Sequence, residues 1–186
     1  TIKLKEVVNL SRGYNPPKSK FISNPKEGYI RFYQIRDAKS DKYATYVPES
    51  KKLRKVFKND LLMNAYRHIG EVFTNVEGAF NVALCKLSIK DTKILEKEFL
   101  YFMIPSYLIK GTLLKKSERS LIPSMSVKEL AEINIPIPEL EKQTEVSCKI
   151  GEIEKILKKL FEIFDQKVAN LIALRSSILS SYLEVP

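Results

Sequence analysis

One histidine, two cysteines and no tryptophan leave this sequence short of the side chains on which much enzyme chemistry depends. His68 stands alone, so no histidine cluster can hold a metal, and no Ser/His/Asp set appears in a recognisable context. Cys85 and Cys148 lie far apart without CxxC spacing; they carry no metal or disulfide signature and read as structural thiols. No run approaches the ~18 uninterrupted apolar residues of a membrane span, and the N-terminus lacks the charged-then-apolar order of a signal peptide. The expectation is a soluble, cytoplasmic protein without a membrane partner, a bound metal or a cofactor. Its 186 residues suffice for one ordinary domain plus an appendage.

Another scarcity organises the chain. Between Pro138 and Pro186 there is no proline and a single glycine, Gly151, so one helix can run from near Glu139 to about Tyr182. At roughly 1.5 Å per residue it would be about 65 Å long. Val146, Ile150, Ile153, Leu157, Leu160 and Phe164 alternate steps of four and three, the seam of a left-handed coiled coil. Val168 follows Phe164 by four again, a stutter, before Leu171, Leu174 and Ile178 resume the stripe. Ile156, Ile163, Ile172 and Leu179 widen the apolar face. Either the helix breaks near Asp165 to Asn170 and folds back as a hairpin, or a partner helix covers it. The lack of turn residues favours the partner.

Just before this helix, Ile133, Ile135 and Ile137 alternate with Asn134, Pro136 and Pro138, and the prolines hold the backbone extended. Charge also changes there. Residues 1–138 hold 25 Lys and Arg against 14 Asp and Glu, a net +11, whereas 139–186 hold 7 against 8, a net −1. A basic unit fits a polyanion, because neutralising phosphates releases counterions. A lysine-rich background would give the same balance.

The basic part reads as short elements. Lys3 to Leu10 is a strand or a brief helix, and Gly28 to Ile35 (GYIRFYQI) is an aromatic, β-branched strand. Lys58-Asn59-Asp60 turns into Leu61-Leu62-Met63, and Ile69 to Val76 predicts a further strand. Val82 to Ile89 alternates, with Ala83, Cys85, Leu87 and Ile89 on one face. Glu96 to Ile104 predicts a helix with Phe99, Phe102 and Met103 inward. Ser126 and Glu129 form a capping box opening VKELAEI. The fold class is α+β, a mixed, mostly antiparallel curved sheet followed by a long coiled-coil-forming helix.

LKEVVNLSRG at 4–13, GYIRFYQIRD at 28–37, KNDLLM at 58–63, HIGEVF at 68–73 and AFNVALCKL at 79–87 precede SMSVKELAEINIPIPELEKQTEV at 124–146. In this order they resemble one half of the specificity subunit of Type I restriction-modification systems, the last block being the most specific. The resemblance implies a DNA target-recognition domain at 1–138 and a spacer or dimerisation helix at 139–186. It implies double-stranded DNA, DNA adenine methyltransferase subunits and a restriction motor-nuclease subunit as partners, with homodimerisation supplying a second half. The chain itself would be non-catalytic. Asn15-Pro16-Pro17 resembles the NPP-aromatic signature of amino-methyltransferases, but Lys18 occupies the place of the aromatic and no glycine-rich cofactor loop precedes it. Asp37 and Asp41 read as turn or capping acids, not as a nuclease pair. Two alternatives remain: the specificity region of a fused restriction-modification enzyme, or a coiled-coil scaffold whose basic domain binds RNA or an acidic protein.

Reading bases requires paired donors and acceptors on a rigid frame. Gln34 and Arg36, at a strand end beside a basic loop, are the first choices. Arg67 and His68 form a second cluster, and Lys115, Lys116 and Arg119 a third. Tyr14, Lys18, Lys20, Lys39 and Tyr43 would serve phosphates or stacking. For each residue singly the plainer reading is a solvated surface group. Convergence of several polar loops would favour the interface.

Overall fold

The computed structural model describes residues 1–38, 40–106, 111 and 124–183. It divides into two compact units, Thr1–Thr144 and Glu145–Pro186.

The first unit is built from short strands. β1 (Ile2–Lys3), α1 (Leu4–Val7) and β2 (Val8–Arg12) show that the opening segment is strand, helix and strand in turn. There follow β3 (Tyr29–Tyr33), β4 (Tyr46–Pro48), β5 (Lys55–Val56), β6 (Leu61–Asn64), β7 (Val72–Phe73), β8 (Gly78–Phe80) and β9 (Leu84–Ile89). After α2 (Lys97–Met103) and α3 (Val127–Ala131) comes β10 (Asn134–Ile135). One sheet has the order β2-β9-β6-β7 and is antiparallel throughout; a second has the order β4-β3-β8-β5, with β3 and β8 parallel. β1 pairs with β10, Ile2 opposite Ile135. This is the expected α+β, mostly antiparallel arrangement.

β8 serves both halves of the core because neighbouring side chains on a strand face opposite ways. Phe80 joins Val56, Leu62, Phe73, Val76 and Leu84, while Ala79 joins Phe32, Val47 and Leu53. Each large side chain buried this way stabilises the fold by roughly 1.5–3 kcal/mol. Gly78 permits the close approach of β8 to β3: a Cβ there would lie 2.4 Å from the Arg31 carbonyl oxygen.

The strands expected at Gly28 to Ile35 and Val82 to Ile89 are shorter, Tyr29–Tyr33 and Leu84–Ile89, with Ile35 opening a 3₁₀ turn and Val82 and Ala83 in a turn, and two expectations need larger correction. The strand at Ile69 to Val76 shrinks to Val72–Phe73, because Gly70 and Asn75 take left-handed backbone (φ 87° and 58°) and the Gly70 N–H turns back to donate to the Asn64 carbonyl. In α2 the inward residues are Phe99, Leu100 and Met103. Phe102 is only half-buried, its ring edge-on to Tyr101 at 5.0 Å.

The capping box is present: the Ser126 hydroxyl accepts from the Glu129 N–H, and the Glu129 carboxylate accepts from the Ser126 N–H at 2.9 Å. Past α3, Glu132 pairs with both Lys3 and Lys5, and these hydrogen bonds pull its carboxyl down to about 2. Gln143 is fully buried; its amide nitrogen donates to the Ile94 and Pro138 carbonyls at 2.8 Å, and its amide oxygen accepts from the Glu96 N–H at 2.9 Å.

α4 runs unbroken from Leu140 to Leu183. The hairpin break near Asp165 to Asn170 does not occur; Gln166 instead donates to the Asn170 side chain one turn on, at 2.9 Å. Val146 and Ile150 are half-buried, whereas Ile153, Leu157, Leu160, Phe164, Val168 and Leu171 are 45% to 65% exposed. No helix among the described residues is long and apolar enough to cross a membrane.

Candidate nucleic-acid interface

The segment Phe80–Ala83, from the last residue of β8 to the residue before β9, ties three polar loops together through its own main-chain atoms. From the loop after β2, the Tyr14 N–H donates to the Phe80 carbonyl at 3.1 Å, and the Asn15 side chain accepts from the Val82 N–H at 3.1 Å. From the end of β3, the Tyr33 carbonyl accepts from the Asn81 N–H at 3.0 Å. From the end of β6, the Ala65 N–H donates to the Ala83 carbonyl at 3.0 Å. Arg12 reinforces the junction, donating to the Val82 carbonyl at 3.1 Å and to the Met125 carbonyl; burial lowers its pKa. Gly13 makes the approach feasible, since a Cβ would sit 2.1 Å from the Phe80 oxygen and 2.2 Å from the Asn81 oxygen.

Each loop delivers expected residues to the surface. Tyr14 is exposed at the junction itself. Lys18 and Lys20 occupy an exposed 3₁₀ turn in an arch pinned at its far end, where Ile22 and Tyr46 exchange backbone hydrogen bonds of 3.1 and 2.9 Å. Arg67 and His68 are exposed on the β6–β7 connection. Arg67 holds φ at 64°, an uncommon conformation for a side-chain-bearing residue, with its guanidinium 5.8 Å from the Tyr66 ring centre. Lys39, Lys115, Lys116 and Arg119 lie outside the described residues.

The loop after β3 has the densest polar packing. Gln34 is half-buried and donates its side-chain amide to the Thr45 hydroxyl at 3.3 Å. Arg36 is exposed and donates to the same hydroxyl at 3.0 Å, with its guanidinium 5.9 Å from the exposed Tyr43 ring. Beneath them lies Arg31, a residue the sequence reading passed over as part of a strand. Its side chain is 11% exposed and reaches Asp37 at 3.3 Å, Asp41 at 2.9 Å, and the Phe32 and Thr45 carbonyls at 3.0 and 3.2 Å. Burial alone would lower the Arg31 pKa, but the two aspartates outweigh it and hold the pKa above its ordinary value. Its guanidinium also lies 4.7 Å from the Tyr33 ring centre. Asp37 further accepts from the Gln34 N–H at 2.7 Å. Both acids are thus committed to shaping the loop. The signal for Arg31 was a lone cation between Tyr29 and Tyr33 on one strand face.

Arg12, Asn15 and Thr45 were likewise missed, since nothing local in the sequence marks a residue whose partners are distant. Cys85 is buried, and its thiol is pushed up to about 11, out of reach of nucleophilic chemistry near neutral pH. Among the described residues no group of three or more His, Cys, Asp or Glu could hold a metal. What the arrangement offers is a set of amide, guanidinium and aromatic groups on braced loops, suited to binding.

A family model described as Type I restriction modification DNA specificity domain matches residues 1–172. Among solved structures, the chain is similar to one from a type I R-M system studied for complex assembly and conformational transition, with a TM-score of 0.78 and 20% identity over 96% of this chain and 44% of that one. It is also similar to the HsdS subunit from Thermoanaerobacter tengcongensis, with a TM-score of 0.71 and 22% identity over 96% of this chain and 43% of that one. For the Type-I restriction-modification S subunit from M. genitalium the TM-score is 0.59, with 16% identity over 97% and 43%. The chain spans less than half the length of these three.

Proposed function

The chain belongs to the family of Type I restriction modification DNA specificity domains, and on that premise we propose that it reads a DNA sequence on behalf of partner subunits. It binds double-stranded DNA, directs an adenine methyltransferase to its target, and directs cleavage when a motor-nuclease subunit joins; it carries no catalytic group of its own. The observation that supports this most is the junction at Phe80–Ala83, which gathers Tyr14, the Gln34 and Arg36 loop, and the Arg67 and His68 loop. That gathering occurs in a segment with net charge +11 over residues 1–138. Charge gives affinity for any duplex, and braced amides and guanidinium groups give discrimination. Salt titrations of the full chain on random duplex DNA, RNA and an acidic protein test the reading. Duplex binding whose log affinity falls linearly with log salt is expected; preference for RNA or acidic protein would replace it with the scaffold reading.

The exposed stripe of α4 supports a second copy as its cover. In this proposal two chains pair antiparallel through residues 139–183, an isologous contact. Each unit then reads the same half-site in opposite directions, and the target is an interrupted palindrome. Because the solved relatives are more than twice as long, a second, different half on one fused chain is the competing arrangement. Light scattering at micromolar concentration separates them: a dimer is expected, and a monomer would favour the fused form.

A further inference from the structure

Thr45 is 5% exposed, and its hydroxyl is fully used. A hydroxyl has one hydrogen to donate and two lone pairs. The hydrogen goes to the Tyr43 carbonyl at 3.2 Å, and the lone pairs accept from Gln34 Nε2 at 3.3 Å and Arg36 Nη2 at 3.0 Å. The residue itself is fixed, because its carbonyl accepts from the Phe32 N–H at 2.7 Å and from Arg31 at 3.2 Å.

Spending the only hydroxyl hydrogen on Tyr43 has a directional effect. Gln34 can approach only with its NH₂, so its Oε1 is turned away, and among the described residues nothing donates to it. Oε1 and the second N–H then form an acceptor–donor edge, the complement of adenine N6 and N7. Arg36 spends Nη2 on Thr45 and, at 3.5 Å, on the Tyr43 carbonyl. Among the described residues nothing accepts from its Nη1 hydrogens, donors that match guanine O6 and N7. Two side chains held on one oxygen are kept close together, as reading neighbouring bases, about 3.4 Å apart along a strand, requires.

We propose that Thr45 is a positioning residue that sets Gln34 and Arg36 side by side to read two adjacent purines, an adenine by Gln34 and a guanine by Arg36. This rests on the DNA-reading function above and specifies what one loop of that interface recognises.

The test uses the full chain with its methyltransferase partner and a pool of randomised duplex DNA, followed by affinity for the enriched duplex and for a scrambled one. Enriched sequences should contain the adenine–guanine step, Gln34→Ala should relax the adenine position and Arg36→Ala the guanine beside it. Thr45→Val, which keeps the β-branched shape, should relax both positions together, lowering discrimination at each by up to roughly 5- to 150-fold. Thr45→Ser, which keeps the hydroxyl, should restore it. Should Thr45→Val fail to fold, the two alanine variants decide alone: relaxation of a G·C pair by Gln34→Ala or of an A·T pair by Arg36→Ala, relaxed pairs that are not adjacent, or an adenine and guanine that lie on opposite strands overturn the proposal. So does a Thr45→Val chain that keeps the wild-type preference. In those cases sequence selection by the wild type survives, whereas a wild type that enriches nothing overturns the DNA-reading function together with this inference.

Discussion

Replacing Arg31 by methionine should destabilise the first unit by about 3 kcal/mol, because it leaves the fully buried Asp37 carboxylate without its cation. Removing one partner of a buried pair typically costs 3–5 kcal/mol. The lower end applies here, since Asp37 keeps the Gln34 N–H at 2.7 Å. Asp41 adds little, its side chain being 82% exposed and screened by solvent. The apolar stem of methionine fills much of the space against Tyr33, so the cost falls mainly on charge. Urea denaturation followed by tyrosine fluorescence measures it well, because there is no tryptophan and every tyrosine except Tyr182 precedes residue 145. With a slope of roughly 1–3 kcal/mol per molar urea, the midpoint should fall by about 1–3 M. Adding Asp37→Asn to Arg31→Met should recover at least about 1 kcal/mol, since the orphaned charge disappears. A loss below about 1 kcal/mol for Arg31→Met, or strict additivity in the double variant, would refute the argument that this ion pair braces the loop.

Three further outcomes follow from charge and burial. Neutralising Lys115, Lys116 and Arg119 should weaken binding to all duplexes alike and lower the salt slope by just under about one unit per lost phosphate contact, read from a salt titration; an unchanged slope returns them to the solvated surface. Leu157→Asp with Leu160→Asp should convert the proposed dimer to a folded monomer in light scattering, because both side chains lie on the exposed stripe of α4. The Glu132 carboxyl is held at about 2 against an ordinary 4.5, so its contribution is full above pH 4.5 and is lost as pH falls from 4.5 towards about 2. Hydrogen exchange of the Leu4 N–H, which bonds the Ile133 carbonyl at 2.8 Å, should accelerate relative to Glu132→Gln across that window, and less so at high salt.

Periodic features were legible in the sequence because period is a property of one segment. The 44-residue span of α4, the Ser126 and Glu129 box, and the turn at Lys58–Asp60 into β6 all follow from patterns a few residues long. The stretch from Ile69 to Val76 misled because its composition suits a strand while three left-handed residues, Arg67, Gly70 and Asn75, bend the chain around it. Phe102 misled because helical spacing alone does not decide between it and Leu100. In the candidate interface, Gln34, Arg36 and Arg67 announced themselves as polar residues at element ends. The groups that hold them did not: Arg12 read as the turn ending the first element, Arg31 as an ordinary basic strand residue and Thr45 as loop, until tertiary pairing gave them partners.

The junction at Phe80–Ala83 has a consequence for how such a protein can change its target. It grips the loops by main-chain atoms at Tyr14, Tyr33 and Ala65, and by the side chains of Arg12 and Asn15. None of those grips uses the side chain of Gln34, Arg36, Arg67 or His68. A peptide N–H or carbonyl is the same whatever side chain follows it, so the frame is indifferent to the identity of the residues it presents. Substitutions at those four positions can therefore leave the junction itself intact, and on the proposed DNA-reading function a new recognised sequence can arise on the old frame wherever the Thr45 hydroxyl and the left-handed backbone at Arg67 accept the change.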